Sequence, residues 1–343
     1  MKAVTYQAPF DYKVKDVPKP IVENADEAIL KVKYSGICGT DLHSYRGHLN
    51  LPKDQVIGHE FVGTIVEKGD NVNFEIGDNV VSTFTIQCGE CEYCKVGFSS
   101  QCDVTNTFGK VGLPGGQAEY VKVPYANNGL IKCEDDPIYV MMADIFITGY
   151  FGVKKILNHL GHNVKKDLKP REVHGLKVLQ LGLGPVGICA LTILKHYGFD
   201  VTAVDNVPSR LDTASKLGAH TLNFQTDDIP KDSFDFVLEA VGNSKALETG
   251  FHAIKREGLL VVLGMSHEPL PFDGLQCYLK NINLSFGRCH AQSLFPESLE
   301  LFETLKDKFS SFIDCLIPIE EVEKGYELFD HHKVNKVIID FTK

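Results

Sequence analysis

Four cysteines, Cys88, Cys91, Cys94 and Cys102, fall within fifteen residues as C-x2-C-x2-C-x7-C, with Gly89 and Gly97 letting the chain turn and aim its sulfurs inward. Four thiolates at this spacing suit tetrahedral zinc with every position filled by protein, a structural site. A four-iron cluster also takes four cysteines, but the usual ferredoxin run has proline after the fourth, where this chain has Asp103. A disulfide pair would need an oxidising compartment. Zinc is therefore the expectation for this lobe. Cys133, Cys189, Cys277, Cys289 and Cys315 are solitary and read as packed thiols.

A second constellation begins at Cys38-Gly39-Thr40-Asp41-Leu42-His43 and resumes about twenty residues later at Gly58-His59-Glu60. Taken singly, a cysteine is more often packing and a histidine more often a satisfied polar residue. Together the two segments offer a thiolate, an imidazole, a hydroxyl, and carboxylates to orient them. Catalytic zinc takes three protein ligands and keeps a position open, so a further ligand is expected elsewhere.

Gly182-Leu183-Gly184-Pro185-Val186-Gly187 is a G-x-G-x-x-G run that follows an apolar strand and opens a helix. The first glycine makes the turn, the second lets backbone approach a pyrophosphate, and the third lets helix and strand pack. The helix N-terminus then presents N–H groups and a positive dipole end to the phosphates. Asp205 stands 23 residues after Gly182, where a carboxylate accepts the adenosine ribose hydroxyls and repels a 2′-phosphate. This selects NAD over NADP. Arg210 lies five residues further on, either at the cofactor or as a solvated first-turn residue.

These groups need elements to hold them. Ala28 to Tyr34 and Phe61 to Val66 alternate as strands, with Gly63, Gly69 and Gly77 as punctuation, which predicts a small irregular barrel. From about residue 147 the rhythm becomes strand–helix alternation. Strands are expected at 177–181, 201–204, 221–224, 234–238, 259–263 and 282–286, and helices at 186–197, 208–217 and 244–255. That is a doubly wound α/β domain. A helix over 296–308 and a last strand over 336–341 follow. The basic, polar stretch Gly161 to Glu172 reads as an exposed loop.

Length and charge narrow the classes. The chain has 343 residues, a prior of two domains, and 43% hydrophobic residues, enough for substantial cores. Its formal net charge is −10 and only five residues are arginine, which argues against a nucleic-acid partner or a membrane surface. The N-terminal residues lack the pattern of a signal or transit peptide, and 178–194, the longest apolar stretch, is interrupted by Gln180, glycines and Pro185. A cytoplasmic location is expected.

The run Gly58-His59-Glu60-Phe61-Val62-Gly63, with Gly69 and Val72 downstream, resembles the zinc signature of the medium-chain zinc-containing alcohol dehydrogenases. The CGTD run at Cys38, the four-cysteine lobe and the GLGPVG turn follow that family's order and approximate spacing over nearly the whole chain. The resemblance implies a GroES-like irregular β-barrel catalytic domain from residues 1–146 and 287–343, carrying a zinc lobe at 86–103. A Rossmann NAD-binding domain would occupy 147–286. It implies two zinc ions per subunit. Cys38 and His59 would hold the catalytic one, with Glu60 able to exchange with its water and Asp41 orienting His59. Thr40 would take the alcohol proton and pass it through the nicotinamide ribose to His43. Phe84 would wall the substrate pocket, with plain core packing nearly as good a reading, and Thr148 would line the pocket as well.

Many relatives carry cysteine as the third ligand, in a segment ending Thr-Gly-Tyr. Here Asp144 stands in that place, ahead of Thr148-Gly149-Tyr150, as in an Asp-ligand subgroup. Asp144 is also the only ionised residue between Tyr139 and Val153, where burial without a cation is costly. The competing readings are a helix cap and direct coordination by Glu60. The expected activity is interconversion of a small-molecule alcohol with its aldehyde or ketone by hydride transfer to NAD. Polyol, diol or threonine dehydrogenation on the same scaffold is the alternative. A non-catalytic NAD- and zinc-binding protein is the alternative of another class. The family further implies a homodimer or homotetramer, through a strand over 258–265.

Overall fold

A computed structural model of the chain describes residues 1–161 and 173–343. The chain divides into two compact units, Met1–Ile147 with His290–Lys343, and Thr148–Cys289. The stretch expected as an exposed loop, Gly161 to Glu172, lies outside the described residues except for Gly161.

In the first unit the strand Ala28–Gly36 is the hub. It pairs antiparallel with Phe61–Lys68, Tyr120–Val123 and Val337–Asp340. Beyond Phe61–Lys68 come Asn79–Ser82 and Leu130–Lys132, and Cys315–Ile317 runs parallel to Val337–Asp340. The pairing of Ala28–Gly36 with Phe61–Lys68 shifts register twice, and such bulges bend a sheet into a closed, irregular form. One core lies inside this curl, with Leu30, Val32, Phe61, Val80, Phe108 and Val121. The Phe61 ring meets Phe108 edge-on at 4.9 Å, worth about 1 kcal/mol beyond burial, and so fixes the strand that leads out of His59-Glu60.

The second unit holds a six-stranded, wholly parallel sheet. Its spatial order is His220–Asn223, Asp200–Asp205, Lys177–Leu181, Phe234–Glu239, Ile254–Val262, Asn283–Phe286. This is the 3-2-1-4-5-6 order of a doubly wound dinucleotide-binding sheet. Val178, Leu179, Gln180 and Leu181 are all buried, as a strand covered on both faces requires. The expected fold class, an α/β chain with a GroES-like unit and a Rossmann sheet, is the one observed.

The differences are local. The helix expected from residue 296 starts at Ala291, running Ala291–Leu305 with Pro296 inside it. Pro296 is the sixth residue of this helix, past the first turn, so the ladder lacks the bond its N–H would have made to the Gln292 carbonyl. The helices Gly274–Lys280 and Val322–Asp330 were not expected. The strand expected over 258–265 runs Ile254–Val262 and has partners on both sides, so the sheet ends at Asn283–Phe286 instead. Among the described residues no helix is long and apolar enough to cross a membrane.

Candidate active site

Cys38 ends the hub strand's connection and caps the helix Gly39–Tyr45. Asp41, in that helix's first turn, is buried and uses both carboxylate oxygens. Its Oδ2 accepts the Cys38 backbone N–H at 3.0 Å, and its Oδ1 lies 3.2 Å from His59 Nδ1. The first contact closes the helix start in the manner of a capping box. The second places the ring proton on Nδ1 and leaves the Nε2 lone pair for something else. His59 Nε2 is buried without a hydrogen-bond partner, although Asp144 Oδ2 stands 3.3 Å away. The same Asp144 oxygen is 3.6 Å from Cys38 Sγ. One donor atom from each of Cys38, His59, Glu60 and Asp144 lies within 4.8 Å of the others, and all four residues are buried. A sulfur, an imidazole nitrogen and carboxylate oxygens that converge this closely, with only the long Cys38 Sγ–Asp144 bond linking sulfur to oxygen, fit a zinc-sized dication.

Asp144 is the single non-helical residue between the helices Val140–Ala143 and Ile145–His159. That break turns its carboxylate toward Cys38 and His59. Phe84, whose N–H bonds to the Ala143 carbonyl, presents its ring edge-on to His59 at 6.5 Å. It therefore sits at the cluster rather than in a remote core. Thr40 and His43 share one face of the helix Gly39–Tyr45 and are both half-buried. Thr148 lies on the helix Ile145–His159 and belongs to the second unit.

Two residues that sequence reasoning passed over complete the surroundings of Glu60. Lys336, fully buried, forms an ion pair with Glu60 Oε2 and donates to the Ile37 carbonyl at 3.1 Å. A Cβ on Gly36 would come within 2.2 Å of Glu60 Oε2 and 3.1 Å of Lys336 Nζ, so glycine there makes the room for the pair. Glu60 Oε1 is left buried and unpartnered. No local signal announces Lys336, because Glu60 is 276 residues away in the chain.

The electrostatics follow from burial and from this crowding. Burial pushes the Cys38 thiol up to about 11, with the Glu60 charge adding to the effect. Burial pulls His59 down, but the charges of Asp41 and Cys38 outweigh it and hold the ring's proton affinity well above the usual value. Burial raises Asp41, yet the His59 charge and the bonds from His59 and Cys38 leave it below the usual carboxylate range. Burial likewise opposes a charged Lys336, and the adjoining Glu60 carboxylate keeps it protonated.

In the cysteine lobe, one sulfur from each of Cys88, Cys91, Cys94 and Cys102 lies within 4.8 Å of the others, and all four thiols are free. Backbone N–H groups of Glu90 and Cys91 point at Cys88 Sγ, at 3.4 and 3.3 Å, and that of Cys88 points at Cys102 Sγ at 3.3 Å. Amides aimed at sulfur favour thiolates, the form that holds a metal. Backbone hydrogen bonding brings Cys91 down to about 7, while burial carries Cys94 up to about 12.

At the dinucleotide turn, Gly182 has φ +93°, a conformation that excludes most side chains, and a Cβ on Gly187 would meet the Gly182 carbonyl at 2.2 Å. Gly184 caps the helix Pro185–Tyr197, whose first residues are Pro185 and Val186. Asp205 Oδ2 accepts the Leu183 N–H at 2.8 Å, and its Oδ1 accepts those of Asn206 and Val207 at 2.8 and 2.9 Å. Arg210 is largely buried and reaches Asp205 Oδ2 at 3.7 Å, so it is not a solvated helix residue. Gln180, also missed, bonds the Gly182 and Gly187 carbonyls at 3.2 and 2.5 Å and braces the turn from below.

Residues 24–135 match the family model "Alcohol dehydrogenase GroES-like domain", and residues 185–304 match "Zinc-binding dehydrogenase". The zinc-type alcohol dehydrogenase B of Aspergillus flavus is 38% identical over 98% of this chain and 81% of its own length. The chain belongs to the medium-chain zinc-containing alcohol dehydrogenase family. An L-threonine 3-dehydrogenase from Caldanaerobacter subterraneus is 30% identical over 95% of this chain and 93% of that protein. Among solved structures, alcohol dehydrogenase TADH from Thermus sp. ATN1 superposes with a TM-score of 0.89 at 28% identity, covering 99% of both chains. As a member of this family the protein is a zinc- and NAD-dependent oxidoreductase.

Proposed function

We propose that this dehydrogenase interconverts a small alcohol and its aldehyde or ketone at a zinc held by Cys38, His59 and Asp144, with Glu60 as an exchangeable fourth donor. The observation that carries the reading is the convergence of their donor atoms around the orphaned His59 Nε2 and Glu60 Oε1. Zinc seated there supplies a Lewis acid that lowers the pKa of an alcohol toward neutrality. Asp41 holds the His59 ring in the tautomer that leaves Nε2 free. Lys336 holds Glu60 by one oxygen, leaving the other to approach or leave the site. Thr40 Oγ1 would accept the substrate hydroxyl proton while passing its own, by way of the nicotinamide ribose hydroxyl, to the His43 ring on the same helix face. Phe84 supplies an apolar wall. The second unit binds the dinucleotide over Gly182, Gly184, Pro185, Val186 and Gly187, with Asp205 and Arg210 at the adenosine ribose. The Asp205 carboxylate favours NAD over NADP. Cys88, Cys91, Cys94 and Cys102 hold a second, structural zinc.

The outer edge of Asn283–Phe286, which pairs with no strand among the described residues, suits pairing with the same strand of a second copy, giving a homodimer or a tetramer of such dimers. Free cysteines throughout suit a cytoplasmic, reducing compartment. The test is a panel of primary and secondary alcohols, diols, threonine and aldehydes with NAD and NADP, run alongside metal analysis. Turnover with NAD and two zinc ions per chain is expected. Failure of every substrate in both directions with zinc present would defeat the reading in favour of a non-catalytic binding protein.

A further inference from the structure

Gln180 is the one polar side chain buried in the strand Lys177–Leu181, and it lies beneath the glycine turn that the strand feeds. Its neighbours Val178, Leu179 and Leu181 are apolar, so a fully buried amide there is costly unless its hydrogen bonds are made. Both bonds that Gln180 makes go to the turn. Nε2 donates to the Gly182 carbonyl at 3.2 Å and to the Gly187 carbonyl at 2.5 Å. Its Oε1 has no partner among the described residues, so no other contact accounts for an amide at this place. One side chain thus joins the first and third glycines of the run, the end of the strand to the start of the helix Pro185–Tyr197. The space is close-fitting. A Cβ on Gly187 would stand 2.2 Å from the Gly182 carbonyl oxygen and 3.2 Å from Gln180 Nε2.

These bonds fix the direction of two carbonyls. A glycine-rich turn rotates its peptides at little cost, and a flipped peptide would aim an oxygen where phosphates need N–H groups. The peptide between Gly182 and Leu183 is held from both ends, its carbonyl by Gln180 and its N–H by Asp205 Oδ2 at 2.8 Å. On the helix side Pro185 has no N–H, and that of Ile188 goes to the Gly184 carbonyl at 2.9 Å. Val186 and Gly187 therefore keep N–H groups with no acceptor inside the helix. The Gly187 carbonyl, drawn inward to Gln180, sets the tilt of this first turn and with it the heading of both amides.

We propose that Gln180 is a positioning residue for the dinucleotide: from inside the strand it holds the glycine turn, before any ligand arrives, in the form that grips a diphosphate. It acts through the Gly182 and Gly187 carbonyls. The gain is preorganisation, since a turn already held gives up less freedom on binding. The proposal rests on the reading of Gly182 to Gly187 as the dinucleotide site.

The test compares ligands with and without a diphosphate: NAD and ADP-ribose by calorimetry, adenosine by equilibrium dialysis, with the thermal midpoint recorded alongside. Gln180→Met keeps the length of the side chain and removes both donors. It should weaken NAD and ADP-ribose by about tenfold and adenosine by less than about twofold. In steady-state kinetics it should raise KM for NAD by a larger factor than it lowers kcat. A role in stability alone would move the thermal midpoint and leave the ratio of ADP-ribose to adenosine affinity where it was. A second measurement needs no variant to fold. In the native protein the Gln180 side-chain amide signals in NMR should be protected from exchange, and should shift on adding ADP-ribose but not adenosine. Unchanged ADP-ribose affinity in folded Gln180→Met, equal losses for ADP-ribose and adenosine, or native amide signals that ignore ADP-ribose would overturn the role of Gln180. Failure of the native protein to bind either NAD or ADP-ribose would instead overturn the dinucleotide reading itself, and this role with it.

Discussion

Asp144 carries a charge into an otherwise apolar run and ends with its carboxylate 3.3 Å from His59 Nε2 and 3.6 Å from Cys38 Sγ. If it is the zinc ligand proposed above, an isosteric amide cannot replace it. Asp144→Asn should lose at least about a hundredfold in kcat and hold the catalytic zinc about tenfold or more weaker, while the cysteine-lobe zinc stays. Asp144→Cys should restore part of both, measured by metal analysis and steady-state kinetics. The protons at this site predict a pH dependence as well. In the metal-free pocket the Cys38 thiol and the His59 ring hold their protons to higher pH than usual. Zinc needs the thiolate and the neutral ring, so its binding releases protons and its affinity falls as pH falls. Competition with a chelator over the neutral to mildly acidic range should show the catalytic zinc lost progressively toward acid. At Glu60, removing only its counter-ion strands a buried charge. Lys336→Met should cost about 3–5 kcal/mol in chemical denaturation, and adding Glu60→Gln should recover much of it. The converging cluster of Cys38, His59, Glu60 and Asp144 could be read from the sequence because each announces itself by residue type. Lys336 could not, because a lysine opening a strand looks like any solvated lysine until the fold brings Glu60 to it.

The elements differ in how they hold these groups. The helix Gly39–Tyr45 has only seven residues, and its start is fixed by Asp41 accepting the Cys38 N–H. Asp41 therefore serves helix geometry and His59 orientation together. The cysteine lobe has the opposite character. Its helix Glu92–Lys95 is a single turn with no buried residue, so on the proposed reading the lobe would depend on a bound zinc. Cys94→Ser should release that zinc and lower the thermal midpoint, while the zinc bound by Cys38 and His59 remains detectable in the surviving folded protein. The parallel strands of the second unit were evident from their runs of Val, Leu and Ile, buried on both faces. The strands of the first unit were harder, since their bulged pairings blur the alternation. Gly274–Lys280 escaped because it is short, although Asp273 caps it and Leu275, Tyr278 and Leu279 recur at helical spacing; in the fold those three side chains are exposed.

At the level of the whole molecule, the division of labour is between an unbroken unit, Thr148–Cys289, and one assembled from both sides of it in the chain. The strand Val337–Asp340 is not an ornament on the first unit. It lies between Cys315–Ile317 and the hub strand Ala28–Gly36, and Lys336 sits immediately before it. On the ribosome this makes completion of the metal site a late event. Residues 148–289 are translated as one continuous block and can collapse as they emerge, whereas Cys38, His59 and Asp144, though made first, must wait. Until Lys336 and its strand are synthesised, Glu60 has no counter-ion and the hub strand keeps an open edge. A chain stalled before Lys336 would thus expose an unfinished thiol–carboxylate cluster while its nucleotide fold was already complete, and its quality control would hinge on the strand Val337–Asp340.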